Sequence, residues 1–148
     1  MPSLVYMIFS VCDVRNGFWH VELDEETGKL RIFATPVGRY RLTRVPFGLA
    51  PAPEIFHRKF DHIILLLQNI ARIADDILEW EEGENPKDAV RKHDSHQHTL
   101  IRAMEEGSVK LHPDKLKLRI SEVLFAGHSL AANGLTADSE KVVAIMRM

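Results

Sequence analysis

The chain has a single cysteine, Cys12. An internal disulfide is therefore excluded, and a reducing compartment is expected, cytoplasmic or nuclear rather than secretory. Net charge is also scarce: 19 basic and 21 acidic residues leave a formal −2. No overall basic field exists to draw in polyanions, which counts against an autonomous polynucleotide binder. Internal repeats and low-complexity tracts are missing. So is any long hydrophobic run. The apolar stretch from Met1 to Val11 has no basic leader and is too short to cross a bilayer, so no membrane partner is expected. Only Glu81 to Asp88, acidic and holding Gly83 and Pro86, has linker-like composition, and it suits a loop. What remains is 148 residues with 45% hydrophobic content, which fits one domain around one core.

Within that domain the chain turns on Ile73-Ala74-Asp75-Asp76. Apolar runs flank the two carboxylates, Ile70 to Ala74 before and Ile77 to Trp80 after. Burying either Asp inside a strand would be costly, so the pattern predicts a β-hairpin with the acidic pair at its tight turn. Like charges held together there repel, and a bound hard cation relieves the repulsion. A solvated Asp-Asp turn is the plainer alternative. A further carboxylate, Asp13, follows the strand predicted over Tyr6 to Val11, at the strand end where α/β sheets commonly place chemistry.

The rest of the chain surrounds these acids. Phe18 to Leu23 fits a half-buried strand or a short aromatic-bearing turn, and Asp24 to Lys29 a polar turn. Leu30 to Thr35 and Arg39 to Val45 are predicted to pair as strands across Pro36 to Gly38. Arg31, Arg39, Arg41 and Arg44 gather there as the one local basic patch, a phosphate contact or a solvated face. A helix is expected after Pro53, with Ile55, Phe56, Phe60, Ile63, Ile64 and Leu67 as its core stripe. A second is expected over Asp88 to Glu106, stopped by Gly107. His93, His96 and His98 lie on that helix at spacings that do not share one face, which disfavours a metal site there. Val109 to Leu111 fits a short strand or edge. Lys115, Lys117 and Arg119 alternate with Leu116, Leu118 and Ile120, suggesting a strand with one basic face. Val123 to Phe125 fits a further strand, with a hairpin through Asn133-Gly134 and a last helix from Ser139 to Met148.

Several of these segments, in order, resemble the reverse transcriptase palm of gypsy-class long-terminal-repeat retrotransposons. They are Phe9 to Val21, Phe33 to Pro36, Gly38 to Arg41, Val45 to Phe56, Ala74 to Leu78, Lys110 to Lys115, Phe125 to His128 and Gly134-Leu135. The run Val45-Pro46-Phe47-Gly48-Leu49-Ala50-Pro51 carries most of the specificity, and it argues against other palm-type enzymes such as nucleotidyl cyclases. The resemblance implies an α+β fold, a split βαβ, ferredoxin-like sheet backed by helices. It implies a palm over residues 1–128 and the start of a connection toward the thumb over 129–148. It also implies RNA-directed DNA polymerase chemistry, nucleotidyl transfer to a primer 3′-hydroxyl. Asp13, Asp75 and Asp76 would be the catalytic acids. With the Val14 carbonyl they would hold two Mg²⁺ ions, or Mn²⁺, about 3.5–4 Å apart. Phe18 resembles the gate beneath the incoming sugar, where a ring would clash with a 2′-hydroxyl. Phe47 and Gly48 resemble the turn beside the nucleotide. Phe125, Ala126, Gly127 and His128 resemble the primer grip. The expected partners are an RNA or DNA template-primer and deoxynucleoside triphosphates. Charge adds Arg39, Arg41, Lys115 and Lys117 as phosphate contacts.

The chain departs from the family at three places. Ile73 stands where the family usually has Tyr, a ring that helps hold the primer end. Ala126 replaces a Leu of the primer grip. Gln97 puts an amide on a helix face expected to be dry. Fingers, a complete thumb and ribonuclease H are not evident in the 148 residues, and the abrupt last helix suggests a piece of a polyprotein. These features support a second expectation: a catalytically inert retroelement remnant, binding nucleic acid or protein without turnover, or an isolated fragment of very weak activity.

Overall fold

The structure is a computed structural model and describes residues 5–137. The expected helix over Ser139 to Met148 lies outside them. At the centre is a four-stranded antiparallel sheet. Its strands, in chain order, are β1 (Tyr6–Asp13), β4 (Ile70–Ile73), β5 (Asp76–Gly83) and β6 (Lys117–Ile120), arranged as β4-β5-β1-β6. Helix α2 (Ala52–Ile64) joins β1 to β4, and α3 (Pro86–Glu106) joins β5 to β6. This is the β-α-β-β-α-β order of the ferredoxin-like family of sheets, as expected.

The register of β1 on β5 explains the division of the core. Cys12 faces Ile77 and Ser10 faces Glu79, while Phe9 faces Trp80 and Val11 faces Leu78. Side chains alternate between faces, so the first set points to the helices and the second away from them. Under the helices Cys12, Val14, Phe56, Phe60, Ile77, Leu100 and Met104 form the larger core. On the opposite face Phe9 and Leu78 are buried with Val123 and Phe125. That second layer is a three-stranded antiparallel sheet of β7 (Glu122–Phe125), β8 (His128–Ala131) and β9 (Gly134–Ala137). Because both faces of β5 are covered, Ile77, Leu78 and Glu79 are buried in succession.

The helix signals work with one substitution of cause. Asn85 caps α3, its side chain accepting from the Asp88 N–H at 3.0 Å, so the helix starts before the expected Asp88. Gly107 does end it, but at φ −76 rather than in the left-handed region, and Ser108 takes that conformation at φ 55. Gly107 is small for a different reason: a Cβ there would run into the Ile63 side chain of α2.

Four local expectations are corrected, the first being the loop over Glu81 to Asp88, which is instead the end of β5 and the first turn of α3 around a short link at Glu84 and Asn85. Asp24 to Lys29 is not a turn but a one-turn helix, α1 (Glu25–Lys29), because the Asp24 side chain accepts from the Thr27 N–H at 2.7 Å and caps it. Val109 to Leu111 forms no strand, only an isolated bridge between Val14 and Leu111. Lys115 belongs to a 3₁₀ turn, Pro113–Lys115, so the basic alternation becomes a strand only from Lys117. Of the alternatives for Phe18 to Leu23, the aromatic-bearing turn is found, a 3₁₀ turn over Gly17–His20. The expected hairpin forms between β2 (Ile32–Thr35) and β3 (Gly38–Arg41), though its second strand stops at Arg41 rather than Val45, and it stacks Phe33 on Tyr40 at 6.0 Å.

Candidate active site

Asp13 ends β1 and Asp76 opens β5, and the two are register partners. The turn residues proper are Ala74 and Asp75, with Ile73 and Asp76 the last pair of the hairpin. Backbone bonds tie this tip to β1: the Val14 N–H donates to the Asp75 carbonyl at 2.8 Å. On the other side of β1 the His112 N–H donates to the Asp13 carbonyl, also at 2.8 Å. The three carboxylates are thus gathered from two distant segments by sheet hydrogen bonding, with Ala74 held in the left-handed region at φ 50.

The electrostatics follow from that crowding. Partial burial, then the nearby Asp13 and Asp76 charges, push the Asp75 carboxyl above its ordinary value. Burial, then Asp13, push Asp76 up as well. Lys115 answers them from the loop before β6, its Nζ 3.0 Å from Asp13 Oδ2, and the carboxylate raises the ammonium in turn. Asp13, Asp76, Lys115, Lys117, Phe125 and Ala126 all border one cleft of about 550 Å³. The structure therefore brings Asp13 and Asp76, two of the four expected phosphate contacts and part of the expected primer grip to one cleft, with Asp75 beside the other two acids.

Other expected residues lie at varying distances from that cleft. Phe18 packs edge-on against Phe47 at 5.4 Å and Phe56 at 5.6 Å, while Phe47 stays exposed and Gly48 takes φ 85. The preceding Gly17 lies against Asp75: a Cβ there would come within 2.5 Å of Oδ1. Ala126 (φ 53) and Gly127 (φ 78) form the β7–β8 turn, with His128 Nδ1 3.2 Å from the Ala126 carbonyl oxygen. Ile73 is half exposed beside the acids. Arg39 and Arg41 are exposed on β3 and are not brought to the carboxylates.

Two supporting residues carry no sequence signal of their role. Gly17 is one. Arg72 is the other, which donates through Nη2 to Asp61 of α2 at 2.5 Å and through Nη1 to the Ala74 carbonyl at 3.3 Å. Its guanidinium also lies 5.3 Å from the Phe60 ring centroid, so it fastens the acidic tip to the helix layer. Spacing alone could have suggested neither.

Among the described residues no three His, Cys, Asp or Glu side chains make a preformed metal cage. Mg²⁺ does not need one: it is bound by one or two carboxylates, and phosphate and water complete its shell. The repelling carboxylates fit that demand.

Strand-end and hairpin-tip carboxylates thus meet at one end of a ferredoxin-like sheet. The chain belongs to the family described as reverse transcriptase (RNA-dependent DNA polymerase), whose model matches residues 5–130. Polyprotein P3 of Commelina yellow mottle virus is 34% identical over 124 residues, covering 83% of this chain and 6% of that protein. The retrovirus-related Pol polyprotein from transposon opus of Drosophila melanogaster is 29% identical over 147 residues, covering 95% of this chain and 14% of that protein. The chain thus spans a small part of the polyproteins it matches. In fold it is similar to the foamy viral protease-reverse transcriptase solved with double-stranded DNA. There the TM-score is 0.81 at 23% identity, over 95% of this chain and 24% of that one. The same viral protein solved with an RNA/DNA hybrid gives a TM-score of 0.78 at 23% identity, over 94% of this chain and 18% of that one.

Proposed function

We propose that this chain is the palm of a gypsy-type retroelement reverse transcriptase, which extends a primer 3′-hydroxyl with deoxynucleotides on an RNA or DNA template. The pairing of Asp13 with Asp76, beside Asp75, is the observation that supports it most. Residues 1–128 then form the palm, and 129–148 begin the connection toward the thumb.

Asp13, Asp75, Asp76 and the Val14 carbonyl would hold divalent magnesium, with manganese as a substitute. When bound, the ions supply Lewis acidity at the attacking primer oxygen and at the leaving pyrophosphate. The protein's own part is positioning and charge. Lys115 pairs with the Asp13 carboxylate at 3.0 Å and offers its ammonium to the phosphates that share the cleft. Lys117 borders the same cleft and adds a second phosphate contact. Phe18, braced by Phe47 and Phe56, presents a rigid ring where a 2′-hydroxyl would clash. Gly48 lets the backbone approach the nucleotide closely. Ile73 and the Phe125 to His128 turn support the primer end, and Arg39 and Arg41 meet strand phosphates from the outlying hairpin.

The test is extension of an oligo(dT) primer on a poly(rA) template with Mg²⁺ or Mn²⁺. The chain should add nucleotides, and Asp75→Asn should abolish the addition. A second reading, an inert nucleic-acid-binding remnant, is favoured by Lys115 already satisfying Asp13. Salt-dependent binding of an RNA–DNA hybrid with no extension at any protein concentration would establish it instead.

A further inference from the structure

A basic cleft of about 810 Å³ opens at the 3₁₀ turn that follows Asp13, and it shares no residue with the carboxylate cleft. Arg15, Arg44, Lys59 and Lys110 line it, together with Trp19. Its wall is built by backbone. The Arg15 N–H donates to the Lys110 carbonyl at 2.8 Å, which sets the two cations side by side. His20 Nε2 donates to the Arg15 carbonyl at 2.8 Å, and Lys59 Nζ donates to the His20 carbonyl at 2.5 Å. Glu22 is the one acid in the lining, and Arg44 occupies it at 2.9 Å. Among the described residues, Arg15, Lys59 and Lys110 have no carboxylate within ion-pair distance. In a chain of net charge −2 such a gathering of unneutralised cations is local and specific.

Trp19 makes the cleft more than a charged patch. It is 57% exposed, the largest kind of apolar side chain left in water beside the cations. Among the described residues no cation lies over its ring and no aromatic side chain stacks on it. Cations without a carboxylate partner and an unoccupied indole face are the two components that hold single strands: phosphates on the first, a base on the second.

We propose that this cleft binds single-stranded nucleic acid, with one base stacked on Trp19 and the flanking phosphates on Arg15, Lys110 and Lys59. Cations drawn from three separate segments of chain suit successive phosphates along a strand. A free nucleotide has the same base-plus-phosphate chemistry, and the experiment separates the two.

The test uses the whole 148-residue chain carrying Trp80→Phe, so that Trp19 alone fluoresces. Titration with dT12 should quench the emission, and dTTP should compete only at far higher concentration. Anisotropy of labelled dT12 with the unmodified chain gives the affinity even where Trp80→Phe disturbs the fold. Trp19→Ala should weaken binding about 5- to 150-fold, and Trp19→Phe should restore much of it. Arg15→Ala with Lys110→Ala should lower the slope of log K against log salt by roughly 1.4. Absent quenching, a salt slope unchanged by the double substitution, or equal competition by dTTP would each overturn the proposal. Loss of primer extension with this binding intact would count against the polymerase reading alone.

Discussion

A methyl group added at Gly17 would meet both the Asp75 carboxylate and the Phe56 ring. Gly17→Ala is therefore expected to cost about 1–3 kcal/mol in chemical denaturation and to displace Asp75 from its neighbours. The acids themselves act in the opposite sense. Asp75 and Asp76 are raised in the folded state, so the stability they contribute is complete only below their unfolded value. It is lost as pH rises through the raised folded one. Asp76→Asn should thus raise the melting temperature at pH 7, by less than about 1 kcal/mol equivalent at this exposed position. It should leave no such gain at pH 3. Glu79 shows the same sign on a larger scale. It is fully buried beneath α3, with His96 Nδ1 3.2 Å away, and burial pushes it from its ordinary 4.5 up to about 8. Stability should fall between those two pH values. Glu79→Gln should flatten that fall, an effect capped on the order of 5 kcal/mol and readable from urea unfolding at pH 5 and pH 9.

The hairpin of β4 and β5 is the element on which the site depends. Its existence and its acidic tip are legible from two apolar runs around Asp75-Asp76. So are the strand ending at Asp13 and the helix stripe of Phe56 and Phe60. What holds the tip is not legible. Arg72 sits in an apolar-looking run, yet it reaches Asp61 and the Ala74 carbonyl, and no local spacing relates those groups. Lys115 was legible as a cation near phosphate, but its partner Asp13 stands 102 residues away. Glu79 escaped notice because its burial depends on α3, which arrives later in the chain and covers the helix-facing side of β5. Replacing Arg72 by Met should keep its bulk while losing both bonds. Unfolding should then show a cost of about 1–3 kcal/mol, and the acidic turn should become susceptible to proteolysis.

At the scale of the whole molecule, the helices cover one face of the sheet and the three-stranded layer covers the other. The carboxylates lie at the end of the sheet, where neither layer closes over them. This arrangement leaves charge concentrated at a cleft, which the proposed function puts to use. Gln97, read from sequence as a misplaced amide, proves to lie over Cys12, its Nε2 3.8 Å from Sγ, among other polar groups on the same face such as Ser10 and His93. That face of α3 was expected to be dry, and it is polar around Gln97 and His93 because Ser10 and Glu79 alternate toward it from the strands.

In the proposed function Asp13, Asp75 and Asp76 jointly bind divalent ions when a triphosphate is present. Mn²⁺ uptake, read from the loss of the free-ion paramagnetic resonance signal in the presence of dTTP, tests it most directly. The unmodified chain should deplete the signal, and Asp13→Asn and Asp75→Asn should each restore most of it. Equal depletion by all three proteins would show that the acids do not hold the ions together.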